Sequence, residues 1–210
     1  MTDAPPPLHR VLRRARELRF LGPAPLEDQI ANGLVFAEAV LTLHGPAATV
    51  ADLGPGGGVP SLVVAERCPA ATMVLIERAR RRVDFLRWAV AELGWQARIR
   101  VHLAEAEDAG RDPAMTGSFD VVTARSFGPA AVTAECGCRL LRPGGHLVVS
   151  EPPGAPDRWP GEALRPLGLT PAILLGDGPA RLAVLTRSEE LELDPAYPRR
   201  AGVPRRRPVF

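Results

Sequence analysis

A cluster of glycines near residue 55 is the strongest candidate for a ligand site. The glycines are Gly54, Gly56, Gly57 and Gly58; they follow Asp52 at the end of an apolar strand and precede a helix expected near Pro60. Glycine lets the backbone turn sharply and approach a bound molecule closely. This strand-to-helix turn therefore predicts a site at which main-chain groups contact a ligand, although a tight turn without a ligand is the alternative.

The spacing of these glycines excludes the common phosphate-binding loops. A dinucleotide fingerprint starting at Gly54 needs glycine where Val59 stands, and one starting at Gly56 needs glycine where Ser61 stands. A Walker loop is excluded because the chain contains no lysine. Asp52, two positions before the first glycine, suits a ligand with a positive ammonium group. We therefore expect S-adenosylmethionine, with Asp52 attracting its methionine part directly or through water.

An acidic residue ends the next predicted strand on the same edge of the sheet. Glu77 lies 23 residues after Gly54, and a carboxylate in this position can accept hydrogen bonds from ribose hydroxyls. The alternative is a surface glutamate paired with Arg80 or Arg81. The combination of a glycine loop and Glu77 is more specific than either feature alone.

Two later segments are also expected at this edge. The backbone groups of Ala106 and Glu107, which follow the third strand, are candidates to hydrogen-bond an adenine edge; a solvated acidic turn is the alternative. Arg125 ends the fourth strand and can orient the cofactor carboxylate or the substrate. Its alternative role is a structural ion pair.

Strand and helix patterns alternate along the chain and predict an α/β protein. The predicted strands are Ala48–Leu53, Thr72–Glu77, Ile99–Leu103, Phe119–Ala124 and His146–Ser150, and the helices among them are Ser61–Arg67, Arg80–Leu93 and Ala130–Leu141. This alternation predicts a Rossmann-like fold with a mostly parallel central sheet and helices on both faces. Residues 172–175 and 180–186 are candidates for two late strands that pair with each other.

The chain divides into three parts. Residues 1–45 are expected to form a short N-terminal helical extension, residues 46–193 the S-adenosylmethionine-binding domain, and residues 194–210 a tail rich in proline and arginine. Within the extension, residues 8–19 carry apolar side chains at helical spacing with arginines between them, and a second helix is predicted from about Glu27 to Leu43. The basic face of the first helix is either a solvated surface or a phosphate-facing one.

Composition limits the function classes. Hydrophobic residues make up 46% of the chain, which suffices for a sizeable core, and the formal net charge of +2 says little about partners. No apolar run approaches the ~20 residues of a membrane span, and the basic N-terminal region does not resemble a secretory signal. We therefore expect a cytoplasmic protein without a membrane association. Three scattered cysteines favour packing over disulfides, and we expect no metal.

Five segments occur together in one known family. They are the loop Asp52–Pro60, the acidic Glu77, the segment Glu105-Ala-Glu107, the strand Phe119–Arg125 and the tail Tyr197–Pro208. In this combination they resemble the bacterial small-subunit ribosomal RNA guanine-N7 methyltransferases, also called glucose-inhibited division protein B. The tail is the most specific element, because methyltransferases in general lack it. The resemblance covers roughly residues 26–151 and 194–210.

The resemblance implies a class I methyltransferase fold and a function. It implies S-adenosylmethionine as cofactor, ribosomal RNA or the small ribosomal subunit as partner, and transfer of a methyl group to guanine N7. It implies cofactor contacts at Gly54, Val59, Ala106, Glu107 and Arg125. N7 has an exposed lone pair, so we name no general base and expect positioning and desolvation to supply most of the rate.

Departures from the family fall on the substrate side. The family motif His-Ile-x-Asp-Ser-Leu stands here as Gln29-Ile-Ala-Asn-Gly-Leu34, its Asn-Leu-Thr segment is not found, and its Lys-Gly after the fifth strand is replaced by Ser150-Glu151. Its Arg-Ala-Glu begins here with Glu105. A methyltransferase with a small-molecule or protein substrate, and a nonenzymatic RNA- or ribosome-binding relative, stay open as alternatives. The missing third glycine disfavours a nicotinamide oxidoreductase.

The tail suggests a contact with RNA. Its arginines are Arg199, Arg200, Arg205, Arg206 and Arg207, in a segment punctuated by prolines. Proline disfavours a helix and holds the chain extended, so we expect the guanidinium groups to spread along RNA phosphates, with Tyr197 as an anchor or stacking group. A disordered basic end is the alternative. We expect the tail to hold these phosphates beside the cofactor crevice, without its arginines belonging to the glycine-loop site.

Overall fold

One sheet organises the part of the chain that the computed structural model describes, which is residues 7–152, 158–176 and 180–210. The strands are β1 (Thr49–Leu53), β2 (Thr72–Glu77), β3 (Ile99–Leu103), β4 (Phe119–Ala124), β5 (Leu141–Glu151), β6 (Ile173–Leu175) and β7 (Arg181–Thr186). The helices are α1 (Pro7–Glu17), α2 (Leu26–His44), α3 (Ser61–Arg67), α4 (Arg80–Glu92), α5 (Ala106–Arg111), α6 (Ala130–Cys138), α7 (Gly161–Leu164) and α8 (Val203–Arg206), with a 3-10 turn at Arg165–Leu167.

The strand order places the candidate site residues at one edge. The order is β3-β2-β1-β4-β5-β7-β6; β1 to β5 run parallel, while β7 pairs antiparallel with both β5 and β6. Chain order reverses between β1 and β4, and ligands of such sheets bind at the carboxyl ends of the strands beside this reversal. The predicted pairing of the two late strands is confirmed.

Helices cover both faces of the sheet, as predicted. Strand side chains alternate between faces, so Val50 and Val121 join one apolar core and their neighbours Ala51 and Val122 join the other. The first core is closed by α1, α2, α3 and α4, and the second by α5, α6 and α7. The Rossmann-like α/β prediction is therefore confirmed.

Two element predictions were wrong. The helix expected to reach Leu141 ends at Cys138, and Leu141 begins β5 instead. Pro143-Gly-Gly145 resembles a turn in the sequence, but it lies within β5. The pairing of β5 with β4 accommodates it through a shift of register between Phe119 and Val121. Helix α5 was missed because it is only six residues long and contains Gly110.

The tail packs against the core that α5, α6 and α7 close, and it is not extended. Pro204 stands in the first turn of α8, where a missing N–H costs nothing, so the extended-tail prediction was wrong. Arg199 bonds to the buried Glu135 of α6 through its backbone N–H at 2.8 Å and through Nε at 2.9 Å and Nη2 at 2.6 Å. Arg199 thus has a buried carboxylate partner within the protein, and its contact with an RNA phosphate stays a prediction.

We expect Arg199→Ala to lower the free energy of unfolding by about 3 kcal/mol. The reason is that Glu135, with 0% exposure of its side chain, would keep a buried charge without its partner. Denaturant unfolding monitored by circular dichroism measures the change, with Arg206→Ala as an exposed control on the same tail.

A second substitution separates the buried charge from general loss of tail contacts. Glu135→Gln in the Arg199→Ala background removes the charge and should restore part of the lost stability. Equal stability of Arg199→Ala and Arg206→Ala would show that the contact between Arg199 and Glu135 does not stabilise the fold.

Candidate cofactor site

Two cavities meet at the glycine loop. One, of about 180 Å³, is lined by Gly54, Ile76, Glu77, Arg78, Arg82, Ala104, Glu105, Ala106, Glu107, Ser126, Phe127 and Arg205. The other, of about 300 Å³, is lined by Phe20, Leu21, Gly22, Gln29, Gly54, Pro55, Gly56, Gly57, Val59, Arg82, Arg125 and Ser126. Gly54, Arg82 and Ser126 belong to both. The cavities together form an elongated site across the carboxyl ends of β1, β2 and β4.

The four glycines of the loop have two different roles. Gly54 and Gly56 have φ angles of +64° and +55°, a region that residues with a side chain rarely adopt, and both present bare backbone to the cavities. A Cβ on Gly57 would lie 2.6 Å from Leu21, and one on Gly58 would lie 2.4 Å from Leu62. Gly54, Gly56 and Gly57 therefore border the cavities, while Gly57 and Gly58 also leave room for Leu21 and Leu62 to pack closely.

Glu77 holds the loop in place. Its Oε2 accepts a hydrogen bond from the Gly56 N–H at 3.2 Å, and its Oε1 accepts one from the Ala79 N–H at 2.9 Å. The side chain is 2% exposed, and Arg82 lies 3.8 Å from it. The alternative of a surface glutamate paired with Arg80 or Arg81 does not fit this burial. Glu77 lines the smaller cavity, where a carboxylate can accept hydrogen bonds from hydroxyl groups.

Asp52 lies beneath the loop and is fully buried. Its Oδ1 accepts a hydrogen bond from Thr123 at 2.8 Å, while Oδ2 and the Ser61 hydroxyl are buried without a hydrogen-bond partner in the described chain. Burial raises the pKa of Asp52 to about 7, although the hydrogen bond from Thr123 and the charge of Arg125 oppose the shift. Asp52 therefore lies under the loop rather than at the surface of either cavity, and its attraction for the methionine part of the cofactor, directly or through water, stays a prediction.

Arg125 and Val59 lie together at the larger cavity. The Arg125 Nε donates a hydrogen bond to the Val59 carbonyl at 3.2 Å. Burial lowers the pKa of Arg125 and the nearby Asp52 raises it, but a guanidinium remains charged at neutral pH. No ion pair within 4.0 Å joins Arg125 to an acid in the described chain. The residue therefore offers a fixed positive charge to a carboxylate or phosphate.

Ala106 and Glu107 begin α5 beside Glu77. The Glu107 side chain is buried and accepts a hydrogen bond from the Gly202 N–H of the tail at 3.0 Å. Both residues line the smaller cavity. Glu107 thus connects the site to the tail through its side chain.

The tail contributes to the site, contrary to expectation. Arg205 lines the smaller cavity with Glu77, and its guanidinium lies 5.7 Å from the centre of the Phe127 ring. The arginines of the tail were expected beside the cofactor crevice without belonging to the glycine-loop site, whereas Arg205 lines the same cavity as Gly54. Arg200, Arg206 and Arg207 are exposed beside it.

Several site residues were not found from the sequence. Gln29 is 6% exposed, lines the larger cavity and has an unpartnered Oε1 in the described chain. It occupies the place of the histidine in the family motif, which was the available signal. Ser126 has a φ of +53°, a strained conformation that often occurs at functional sites. Arg82 and Phe127 carried no recognisable signal.

Other site types find little support in the described ranges. No group of three or more His, Cys, Asp or Glu residues there could hold a metal ion. No helix in those ranges is long and apolar enough to cross a membrane. Cys136 and Cys138 are free thiols. Burial raises the pKa of both, which makes them poor nucleophiles.

The sheet order and the glycine loop define a Rossmann-like fold of the class I methyltransferase type. A putative S-adenosyl-L-methionine-dependent methyltransferase from Methanococcus maripaludis has this fold, with a TM-score of 0.62, 14% identity and coverage of 86% of this chain and 94% of that one. Cofactor-bound Rv0187 from MTB has it too, with a TM-score of 0.60, 20% identity and coverage of 90% and 93%.

Sequence relationships are more specific than the fold. The family model of rRNA small subunit methyltransferase G matches residues 26–151. The ribosomal RNA small subunit methyltransferase G of Moorella thermoacetica is 33% identical over 171 residues, covering 78% of this chain and 70% of that protein. The protein of that name from Streptococcus thermophilus is 32% identical, covering 75% and 68%. The chain belongs to the rRNA small subunit methyltransferase G family.

The buried Asp52 predicts a pH dependence of stability. Its folded-state pKa of about 7 lies above the ordinary 3.8, so the folded protein keeps a proton that the unfolded chain loses between these values. Stability from this group is full below about pH 4 and declines up to about pH 7, by roughly 4 kcal/mol at most. Asp52→Asn should remove this decline.

Chemical denaturation of both proteins at steps from pH 4 to pH 8 measures the effect as the difference between wild type and variant. We expect the variant to gain stability relative to wild type as the pH rises. A constant difference across this range would show that Asp52 titrates normally.

Proposed function

We propose that this protein is an S-adenosylmethionine-dependent methyltransferase that modifies guanine N7 in small-subunit ribosomal RNA. The observation that carries the proposal is the Glu77 carboxylate bonded to the Gly56 amide at the junction of two cavities. Family membership supports the same substrate class. Residues 46–193 form the cofactor domain in this proposal, to which residues 1–45 contribute Phe20 and Gln29, and residues 194–210 contribute Arg205.

The two cavities fit the two ends of the cofactor. In the smaller one, Glu77 would bind ribose hydroxyls, and backbone groups of Ala106 and Glu107 would bind the adenine edge. In the larger one, Arg125 would bind a carboxylate. Gly54 and Gly56 leave room for a close approach of the ligand to the backbone.

The chain's residues would act by positioning. S-adenosylmethionine, when bound, supplies an activated methyl group, and guanine N7 has a free lone pair, so the reaction requires no general base. Gln29 faces the larger cavity with an unpartnered oxygen and can accept a hydrogen bond from a nucleobase amino group. Orientation of two reactants can contribute up to roughly 7–11 kcal/mol to lowering a barrier.

Methyl transfer to RNA tests the proposed function. The purified protein is incubated with radiolabelled S-adenosylmethionine and either intact small ribosomal subunits or an unmodified small-subunit rRNA transcript, and N7-methylguanosine is quantified by mass spectrometry. Arg125→Ala should lower kcat/KM by more than about tenfold, or ~1.4 kcal/mol. Arg165→Ala, an exposed substitution on the other face of the sheet, is the control.

The outcomes distinguish the substrate classes. Cofactor binding without methylation of either RNA would contradict the RNA substrate and favour a small-molecule or protein substrate. Absence of cofactor binding would favour a nonenzymatic relative.

The adjacent arginines of α8 give a matched comparison. Arg205 lines the smaller cavity, whereas Arg206 does not. Arg205→Ala should therefore change the affinity for S-adenosylhomocysteine severalfold, while Arg206→Ala should leave it unchanged. Calorimetric titration measures both, and equal affinities would show that the tail only covers the site.

A further inference from the structure

An open groove lies between α1 and α4, outside the candidate cofactor site. Its volume is about 570 Å³, and its lining residues are Arg14, Leu18, Phe20, Arg81, Asp84, Phe85 and Trp88. We call it the α1–α4 groove. None of the residues assigned to the cofactor from the sequence lines it.

Aromatic rings form the floor of the groove. Trp88 is 43% exposed, and its ring centre lies 5.7 Å from that of Phe85. Phe85 in turn packs edge-on against Phe20, with centres 5.6 Å apart. The packed phenylalanines fix the indole from one side and leave part of it open to solvent. An exposed, supported indole is suited to stacking against a planar group.

Arg14, Arg81 and Asp84 are the charged residues that line the groove. Arg81 has no ion-pair partner in the described part of the chain, whereas Arg14 pairs with Glu17 at 2.9 Å. The acid in the groove, Asp84, is paired with Arg80 at 3.1 Å. Arg13, Arg16 and Arg87 are exposed on the same two helices and have no acidic partner within the described ranges. The groove is therefore complementary to an anion that also carries planar rings.

The groove leads to the candidate site. Phe20 lines both the groove and the larger cavity at the glycine loop. A polymer whose modified unit lies in the larger cavity can therefore place a neighbouring unit in the groove.

We infer that the α1–α4 groove binds a single-stranded segment of the RNA next to the modified nucleotide. A base stacks on Trp88, and the Arg81 guanidinium binds a phosphate. Stacking platforms combined with guanidinium groups are the usual means by which proteins bind single strands, and arginine binds phosphate in a bidentate manner. This inference rests on the proposed function and adds to it the surface that would hold the substrate strand.

Three variants test the groove by RNA affinity at several salt concentrations, with the small-subunit rRNA transcript as probe. Trp88→Ala should weaken binding at least fivefold, which corresponds to the ~1 kcal/mol of one stacked base. Trp88→Phe should retain most of the affinity. Arg81→Ala should reduce the slope of log affinity against log salt by about 0.7 for one lost phosphate contact. Arg165→Ala is the matched control, with an unchanged slope.

Two further readouts separate the groove from the cofactor site. S-adenosylhomocysteine affinity should be the same in wild type and all variants, and RNA should quench the fluorescence of wild type but not of Trp88→Phe. Wild-type affinity and slope in both Trp88→Ala and Arg81→Ala would overturn the inference that the groove binds RNA, while leaving the proposed function intact. A wild-type protein that neither binds nor methylates the transcript would overturn both the proposed function and the inference that the groove binds RNA.

Discussion

The hydrogen bond from the Gly56 N–H to the Glu77 carboxylate is the contact on which the site depends. It joins the loop after β1 to the end of β2, and these strands are adjacent and parallel, with Leu53 paired with Ile76. A buried carboxylate needs hydrogen-bond donors, and the loop amide is one of them. The same carboxylate faces the cavity, so the interaction that shapes the loop also presents an acceptor to a ligand.

Two further buried acids hold the tail. Glu135 fixes the tail through Arg199, while Glu107 bonds to the backbone of Gly202. Together they bring Arg205 to the smaller cavity. The tail of this chain is thus held by contacts with buried acids that bring Arg205 to the site and leave Arg200, Arg206 and Arg207 exposed beside it.

The parts of the site that follow from local sequence could be predicted. The glycine loop, Glu77, Ala106 and Arg125 each lie at a strand end, and the parallel sheet brings strand ends together. The contributions of Phe20, Gln29 and Arg205 could not be predicted, because they depend on how the extension and the tail pack against the sheet. The helix α8 was missed for a similar reason: four residues with a proline have little intrinsic helix tendency, and tertiary contacts stabilise them.

We propose that the glycine loop and Glu77 bind S-adenosylmethionine rather than a dinucleotide. Calorimetric titration of the wild type and Glu77→Gln with S-adenosylmethionine and with NAD tests it most directly. We expect one S-adenosylmethionine site per chain, no detectable NAD binding, and at least about tenfold weaker S-adenosylmethionine binding in the variant, because charge-assisted hydrogen bonds to ribose are lost. NAD binding, or equal S-adenosylmethionine affinity in a folded Glu77→Gln variant, would contradict it.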